Sequence, residues 1–264
     1  MKTLKKDKKI FFFDIDGTLA MGYHIPKSTK VALQKLKDAG HLIFICTGRV
    51  YEYAQEYFGA YVDGFITSNG RYIQYKDDVL LDEPLTQQQI RYFIDVMRKH
   101  DCGFGFLDHH HGYLESHDPK TLQKAIDHYL PGYYYTDFQD EDVHGYMFDI
   151  YFPDHQHFQR IQEELKETVI FNEHFPDYSA DATILGVDKG IGIDRVLEYF
   201  SIDKSNAFAF GDGANDLCMF AHVGHPVAMG NAIPLLKENA EYITTDIDKD
   251  GIFHALKHYQ IIEK

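Results

Sequence analysis

Short apolar runs alternate along the chain with stretches whose apolar positions recur every three or four residues. The first run, Ile10–Phe13, has the length and aromatic content of a strand. A helical pattern follows, with Ser28 placed as an N-cap, Ala32, Leu33 and Leu36 on one face and Gly40 as a stop. "HLIFICTGR" supplies a second strand and "GFITSNG" a third. Far downstream "AFAFGDG" gives another strand, followed by a helix bearing Leu217, Phe220 and Ala221. "PVAMGNA" and "AEYITTD" add two short strands around a helix carrying Leu235 and Leu236. Strands that alternate with helices in this way predict an α/β fold, a Rossmann-like three-layer core whose parallel sheet is covered on both faces.

The texture changes between residues 83 and 181. Thr86 and Gln89 form a capping box ahead of Ile90, Phe93, Ile94 and Met97 at helical spacing. A second helix is expected to start near Asp118-Pro119, and a third carries Phe158, Ile161 and Leu165. Strand-like aromatic text lies between them, at 112–116 and 145–152. This segment reads as an α+β domain inserted into the core. The expected boundaries are 1–82 and 182–264 for the discontinuous core and 83–181 for the insertion.

Composition narrows the partners. The chain has 264 residues and a formal net charge of −15. Nucleic acid and anionic membrane surfaces both need a basic patch, so neither is expected as a partner. Cys46, Cys102 and Cys218 are odd in number and lack metal-ligand spacing, so they read as small buried hydrophobes in a reducing compartment. The lysine-rich start imitates a secretion signal, but its apolar run stops at Asp14, short of an h-region. No run approaches the ~20 apolar residues of a membrane helix. A cytoplasmic location is the expectation, and no feature of the sequence sets an oligomeric state.

Polar clusters fall where the apolar strands end. Asp14 and Asp16 follow the first strand, Thr47-Gly48-Arg49 the second, and "GDGAND" (211–216) a late one; Lys189 precedes a helix bearing Val196, Leu197 and Phe200. In open parallel sheets the carboxyl ends of the strands form the ligand crevice, so these groups can converge across ~200 residues of chain. Asp14, Asp16, Asp212 and Asp216 would repel one another unless a cation sat among them, and all-oxygen ligation suits Mg²⁺. A hydroxyl (Thr47), an ammonium (Lys189) and an amide (Asn215) suit phosphate oxygens. A carboxylate can attack phosphorus, and a second acid two residues on can protonate the leaving oxygen and then activate water.

"DIDGT", "TGR", Lys189 and "GDGAND", in this order, resemble the four motifs of the haloacid dehalogenase superfamily. "ITSNG" before the insertion and "PVAMGNA" after it resemble the Cof-type branch, whose large α+β cap lies between the second and third motifs. The resemblance covers nearly the whole core and the cap by position and size only. It implies a Mg²⁺-dependent phosphomonoester hydrolase acting on small phosphorylated metabolites such as sugar phosphates, nucleotides, FMN or pyridoxal phosphate, through an aspartyl-phosphate. Carried over by position, Asp14 is the nucleophile and Asp16 the acid/base. The ion is held by Asp14, the backbone carbonyl of Asp16 and Asp212, with Asp216 in or near its surroundings. Thr47 with Gly48, and Lys189, bind phosphate with Asn215 close by, and Asn69 in "TSNG" is a candidate for touching substrate at the cap boundary. The cap, in this family, chooses the leaving group, and nothing in 83–181 matches a transferable cap pattern. A phosphotransferase or mutase with the same intermediate, and a non-catalytic regulatory protein that keeps the fold, share these residues.

Other motifs weigh less. A calcium loop starting at Asp14 would need glutamate where Ile25 stands, and one starting at Asp246 would need it where Lys257 stands. A polar turn capping the last helix is expected at 246–251. "DHHHG" (108–112) places adjacent histidines on opposite faces of any strand, poor geometry for one ion. An exposed strand or loop is expected there. Gly190 and Gly192 lack the third glycine of a dinucleotide fingerprint, because Arg195 stands at that step.

Overall fold

Ile10–Phe13 forms strand β1, and none of its four side chains reaches solvent. It is flanked on both sides, which is why a strand this apolar can exist without an alternating polar face. A computed structural model describes residues 8–128, 132–174 and 178–263. After β1 come α1 (Lys27–Asp38), β2 (Leu42–Cys46), α2 (Tyr51–Phe58), β3 (Gly64–Thr67), β4 (Tyr72–Tyr75) and β5 (Asp78–Asp82). The intervening segment holds α3 (Gln87–Lys99), β6 (Gly103–Leu107), β7 (Gly112–Glu115), α4 (Pro119–His128), β8 (Tyr134–Tyr135), β9 (Met147–Tyr151), α5 (His155–Leu165), β10 (Val169–His174) and β11 (Ser179–Ile184). The chain then gives α6 (Lys189–Phe200), β12 (Ala207–Gly211), α7 (Leu217–Phe220), β13 (His225–Ala228), α8 (Pro234–Glu238), β14 (Tyr242–Ile243) and α9 (Gly251–His258).

Two compact units result, Met1–Asp82 with Asp188–Lys264, and Glu83–Val187. The first contains a sheet ordered β14-β13-β12-β1-β2-β3-β4-β5, in which β14 through β3 are parallel and β4 and β5 form an antiparallel edge. From β1 the chain moves outward to β2 and β3, and from β12 it moves the other way to β13 and β14. The β1/β12 pair is therefore the switch point, where the carboxyl ends of the strands open a crevice. Helices cover both faces: Ile66 lies against α6 at Gly192, while its neighbour Phe65 meets Tyr51 of α2. The phenylalanines of β1 stack across the switch point on those of β12, Phe11 on Phe208 and Phe13 on Phe210, each at 4.8 Å between centroids.

The second unit has its own sheet, β10-β11-β9-β6-β7-β8, antiparallel except for β7 with β8. Its core joins Ile90, Phe93 and Met97 of α3, Phe158 and Ile161 of α5, and Phe104, Phe106, Phe148 and Ile150 of the strands. The capping box forms: Gln89 N donates to Thr86 Oγ1 at 3.2 Å and Thr86 N to Gln89 Oε1 at 3.0 Å. α4 begins at Pro119, and Asp118 accepts from the amides of Lys120 and Thr121.

Three expectations are revised in detail. Residue 182 falls inside β11, which pairs with β9 and β10, so the second unit runs to Val187. Ser28 lies within the first turn of α1; Pro26 holds the cap position and Ser28 Oγ makes no hydrogen bond among the described residues. The turn before α9 is polar, yet no side chain caps the helix; Asp246 accepts from Lys249 instead. The three histidines sit in the tight connection between β6 and β7, closed by Asp108 N donating to His111 O at 2.9 Å.

Candidate active site

Asp14 occupies the residue after β1, and its amide donates to Phe210 O at 3.1 Å, continuing the parallel ladder one step beyond the strand. Its side chain thereby stands at the carboxyl edge of the sheet on a backbone fixed from both sides. Asp212 follows β12 in the same way. Between them the chain must turn sharply at Gly17, where φ is +81° and any Cβ would collide with the Asp212 carboxylate. Only glycine accepts both conditions.

Lys189, the first residue of α6, is fully buried. Its Nζ donates to Asp14 Oδ1 at 2.6 Å and to Asp216 Oδ1 at 2.7 Å. Asp216 is itself pinned, its Oδ2 accepting from the amides of Asp212 and Gly213 at 2.9 and 3.0 Å. Asp212 Oδ1 accepts from Thr18 Oγ1 at 2.8 Å. A carboxylate oxygen from each of Asp14, Asp212 and Asp216 lies within 4.8 Å of the others.

Electrostatics follows from this crowding. Burial, followed by the charge of Asp216, pushes the Asp14 carboxyl up to about 8 against the pull of Lys189. Burial also raises Asp212 to about 6, opposed by the Thr18 hydrogen bond. Burial acts against the Lys189 ammonium, but the charges of Asp14 and Asp216 overcome it and hold its pKa well above the ordinary lysine value. One ammonium, bonded to two of the three carboxyl groups, leaves the cluster short of positive charge. An all-oxygen donor set with excess negative charge fits a hard divalent cation such as Mg²⁺.

The other expected residues are arranged around this cluster. The Asp16 carboxylate is not part of the three-acid group; Arg49 Nε donates to its Oδ2 at 3.0 Å, and the side chain is 47% exposed. The expected crowding of four carboxylates is therefore one of three, because Asp16 is drawn to Arg49; the resemblance implied only the Asp16 backbone carbonyl as a ligand. Thr47 is buried at the end of β2, and its Oγ1 accepts from Arg49 N at 3.1 Å. Gly48 follows, close to Asn69: a Cβ on it would stand 3.1 Å from Asn69 Oδ1. Asn69 is buried in the turn after β3. Asn215 is exposed, in a single 3-10 turn with Ala214 and Asp216, and its carbonyl accepts from Cys218 Sγ. Burial holds the Cys46 thiol well above its ordinary value and also raises Cys218, which is half-buried rather than buried as expected.

Two contacts were not anticipated from sequence. Arg49, whose guanidinium also lies 4.9 Å over the Tyr53 ring, is the partner of Asp16. Thr18 is the partner of Asp212. Both stand inside motifs that had been read, "TGR" and "DIDGT", so the signal was present but its partner was not. Hydrogen-bond partners depend on turn geometry, which spacing alone does not give.

The site is thus a set of buried carboxylates bridged by a lysine at the switch point of an open parallel α/β sheet. The family model of haloacid dehalogenase-like hydrolases matches residues 11–256, and the chain belongs to that family. It is 32% identical to YkrA of Bacillus subtilis, provisionally named a phosphatase, over 97% of this chain and 100% of that one. It is 28% identical to the 5-amino-6-(5-phospho-D-ribitylamino)uracil phosphatase YcsE of Bacillus subtilis, over 96% of each. Among solved structures, the subclass IIB sugar phosphatase BT4131 superposes with a TM-score of 0.81 at 28% identity, covering 97% of this chain and 100% of that one. Among the described residues, no helix is long and apolar enough to cross a membrane.

Proposed function

We propose that the chain hydrolyses phosphomonoesters of small metabolites with Asp14 as nucleophile, Asp16 as acid and base, and Mg²⁺ as cofactor. The observation that carries the reading is Lys189, buried and shared between Asp14 and Asp216 at 2.6 and 2.7 Å. A fully buried ammonium held on two carboxylates is costly as mere architecture, but it serves a centre that must accept a phosphate dianion.

Asp14, fixed by the ladder bond to Phe210, attacks phosphorus along a defined line and becomes the acyl phosphate. The Lys189 ammonium and the Thr47 hydroxyl lie toward the oxygens that gain charge. Asp16, carrying a proton once its pairing with Arg49 opens, gives that proton to the leaving oxygen, then takes one from the water that cleaves the acyl phosphate. Its ion pair with Arg49 keeps that carboxylate at the exposed rim rather than among the buried acids. Asp14 and Asp212 would hold Mg²⁺ with side-chain oxygens and Asp16 with its carbonyl, Asp216 standing beside them with its own oxygens engaged by Lys189 and two backbone amides. When bound, the ion offsets their charge and that of the phosphate. Names of similar proteins favour small phosphorylated substrates, sugar phosphates and phosphorylated ribitylamino-pyrimidines among them. Core residues alone do not separate hydrolysis from transfer to a sugar hydroxyl; release of free phosphate without an acceptor favours hydrolysis.

The direct test is Asp14→Asn. It should lower magnesium-dependent turnover of p-nitrophenyl phosphate by about 10³-fold or more while the circular dichroism spectrum is unchanged. Substantial residual turnover in that variant would remove Asp14 from the nucleophile's role.

A further inference from the structure

Ser68, Asn69 and Gly70, directly after β3, all have left-handed backbone, with φ of 50°, 53° and 96°. A serine side chain disfavours this conformation, asparagine tolerates it better, and consecutive residues rarely adopt it. All three are buried. Strain of this kind persists only where the surroundings impose it. The Ser68 hydroxyl makes no hydrogen bond among the described residues, so its side chain does not account for the conformation.

The backbone does. On one side the turn holds the loop after β2: Ser68 N donates to Arg49 O at 3.0 Å and Asn69 N to Thr47 O at 3.2 Å. On the other side it seats the start of α6. A Cβ on Gly70 would strike the Asp188 carbonyl oxygen, and one on Gly192 would lie 3.3 Å from Gly70 Cα. Asp188 is the N-cap of α6, its Oδ1 accepting from Ile191 N at 2.9 Å, and Lys189 is the next residue. The same three residues therefore touch the backbone of Thr47 and the backbone adjoining Lys189.

We propose that the left-handed turn 68–70 is a positioning element that fixes the Thr47 hydroxyl and the Lys189 ammonium relative to each other, spacing them for one phosphate group. This rests on the hydrolase reading above, in which both groups face phosphate. A right-handed or extended turn would release Thr47, lift the first turn of α6, or both.

The test compares Ser68→Gly with Ser68→Val in the full chain. Both delete the hydroxyl, but only valine resists a φ of 50°. Relative to Ser68→Gly, Ser68→Val should raise the inhibition constant of inorganic phosphate by about fivefold and lower kcat by about tenfold. Amides of residues 188–192 should exchange with deuterium about tenfold faster, while those of β12 keep their protection. An inhibition constant does not depend on the fraction of active enzyme, so general destabilisation would leave it unmoved. Equal inhibition constants and equal exchange at 188–192 for the two variants would overturn the proposal. If Ser68→Val does not fold, Ser68→Ala gives the same comparison at smaller amplitude. If the unsubstituted chain releases no phosphate, the hydrolase reading fails by itself, and exchange at 188–192 alone decides whether the turn seats α6.

Discussion

Lys189 shows how one side chain can organise a site. Removing it would leave Asp14 and Asp216 buried without their shared counter-charge. Lys189→Met should therefore destabilise the chain by about 3–5 kcal/mol, read by urea unfolding in chelator. The same crowding sets a pH dependence. Asp14 and Asp212 are raised above ordinary carboxyl values, to about 8 and about 6, mainly by burial. The folded state therefore holds their protons more tightly than the unfolded chain does. Their contribution to stability is full below the ordinary carboxyl range and is lost as pH rises through those folded values. In chelator, the unfolding midpoint should thus fall between about pH 4.5 and about pH 8, and added magnesium should reverse the fall; a midpoint that rises over that range would contradict it. At this scale the sequence was most informative: carboxylates directly after strands pointed to Asp14 and Asp212, the "GDGAND" motif to Asp216, and a lysine opening a core helix to Lys189. Arg49 as the partner of Asp16 escaped, because which polar group faces which is decided by two turns far apart in the chain.

Among elements, the helices with clear faces and caps were legible and the less patterned strands were not. The Thr86 capping box is a local device, readable as two residue types three apart, and it forms as expected. Thr86→Ala should cost about 1 kcal/mol, measured as a lower midpoint for unfolding of the Glu83–Val187 unit. β11, "SADATI", lacks the bulky residues that mark strands, and its alternating burial is visible only once β9 and β10 flank it. Ser28 illustrates the opposite error: a good capping residue was present, but Pro26 starts the helix two residues earlier. β1 needed no such help. Phe12, wholly buried and tilted against Phe44 at 5.9 Å, should cost about 3–5 kcal/mol when replaced by alanine, measured by denaturant unfolding.

For the whole molecule, the insertion is the organising fact. Glu83–Val187 carries a complete sheet and its own core, so residues 83–187 expressed alone should melt cooperatively; a featureless melt would show that this core does not suffice. Residues 1–82 alone should not, because β1 would lack β12, its partner across the switch point. The start of that unit was readable from the change of texture near residue 83, whereas the boundary expected at 182 fell inside β11, a strand that did not look like one, and the unit runs on to Val187. The pairing of β1 with β12 also has a consequence for biosynthesis. A nascent chain that has emerged as far as residue 200 has made all of Glu83–Val187, yet its phenylalanine strand still waits for the segment that will flank it. Until then Phe11, Phe12 and Phe13 are an adhesive edge on the ribosome, the sort of surface that holdase chaperones shield. The acidic cluster can assemble only in the last quarter of synthesis, when β12 and the Asp212 and Asp216 that follow it pair against a carboxylate made nearly two hundred residues earlier.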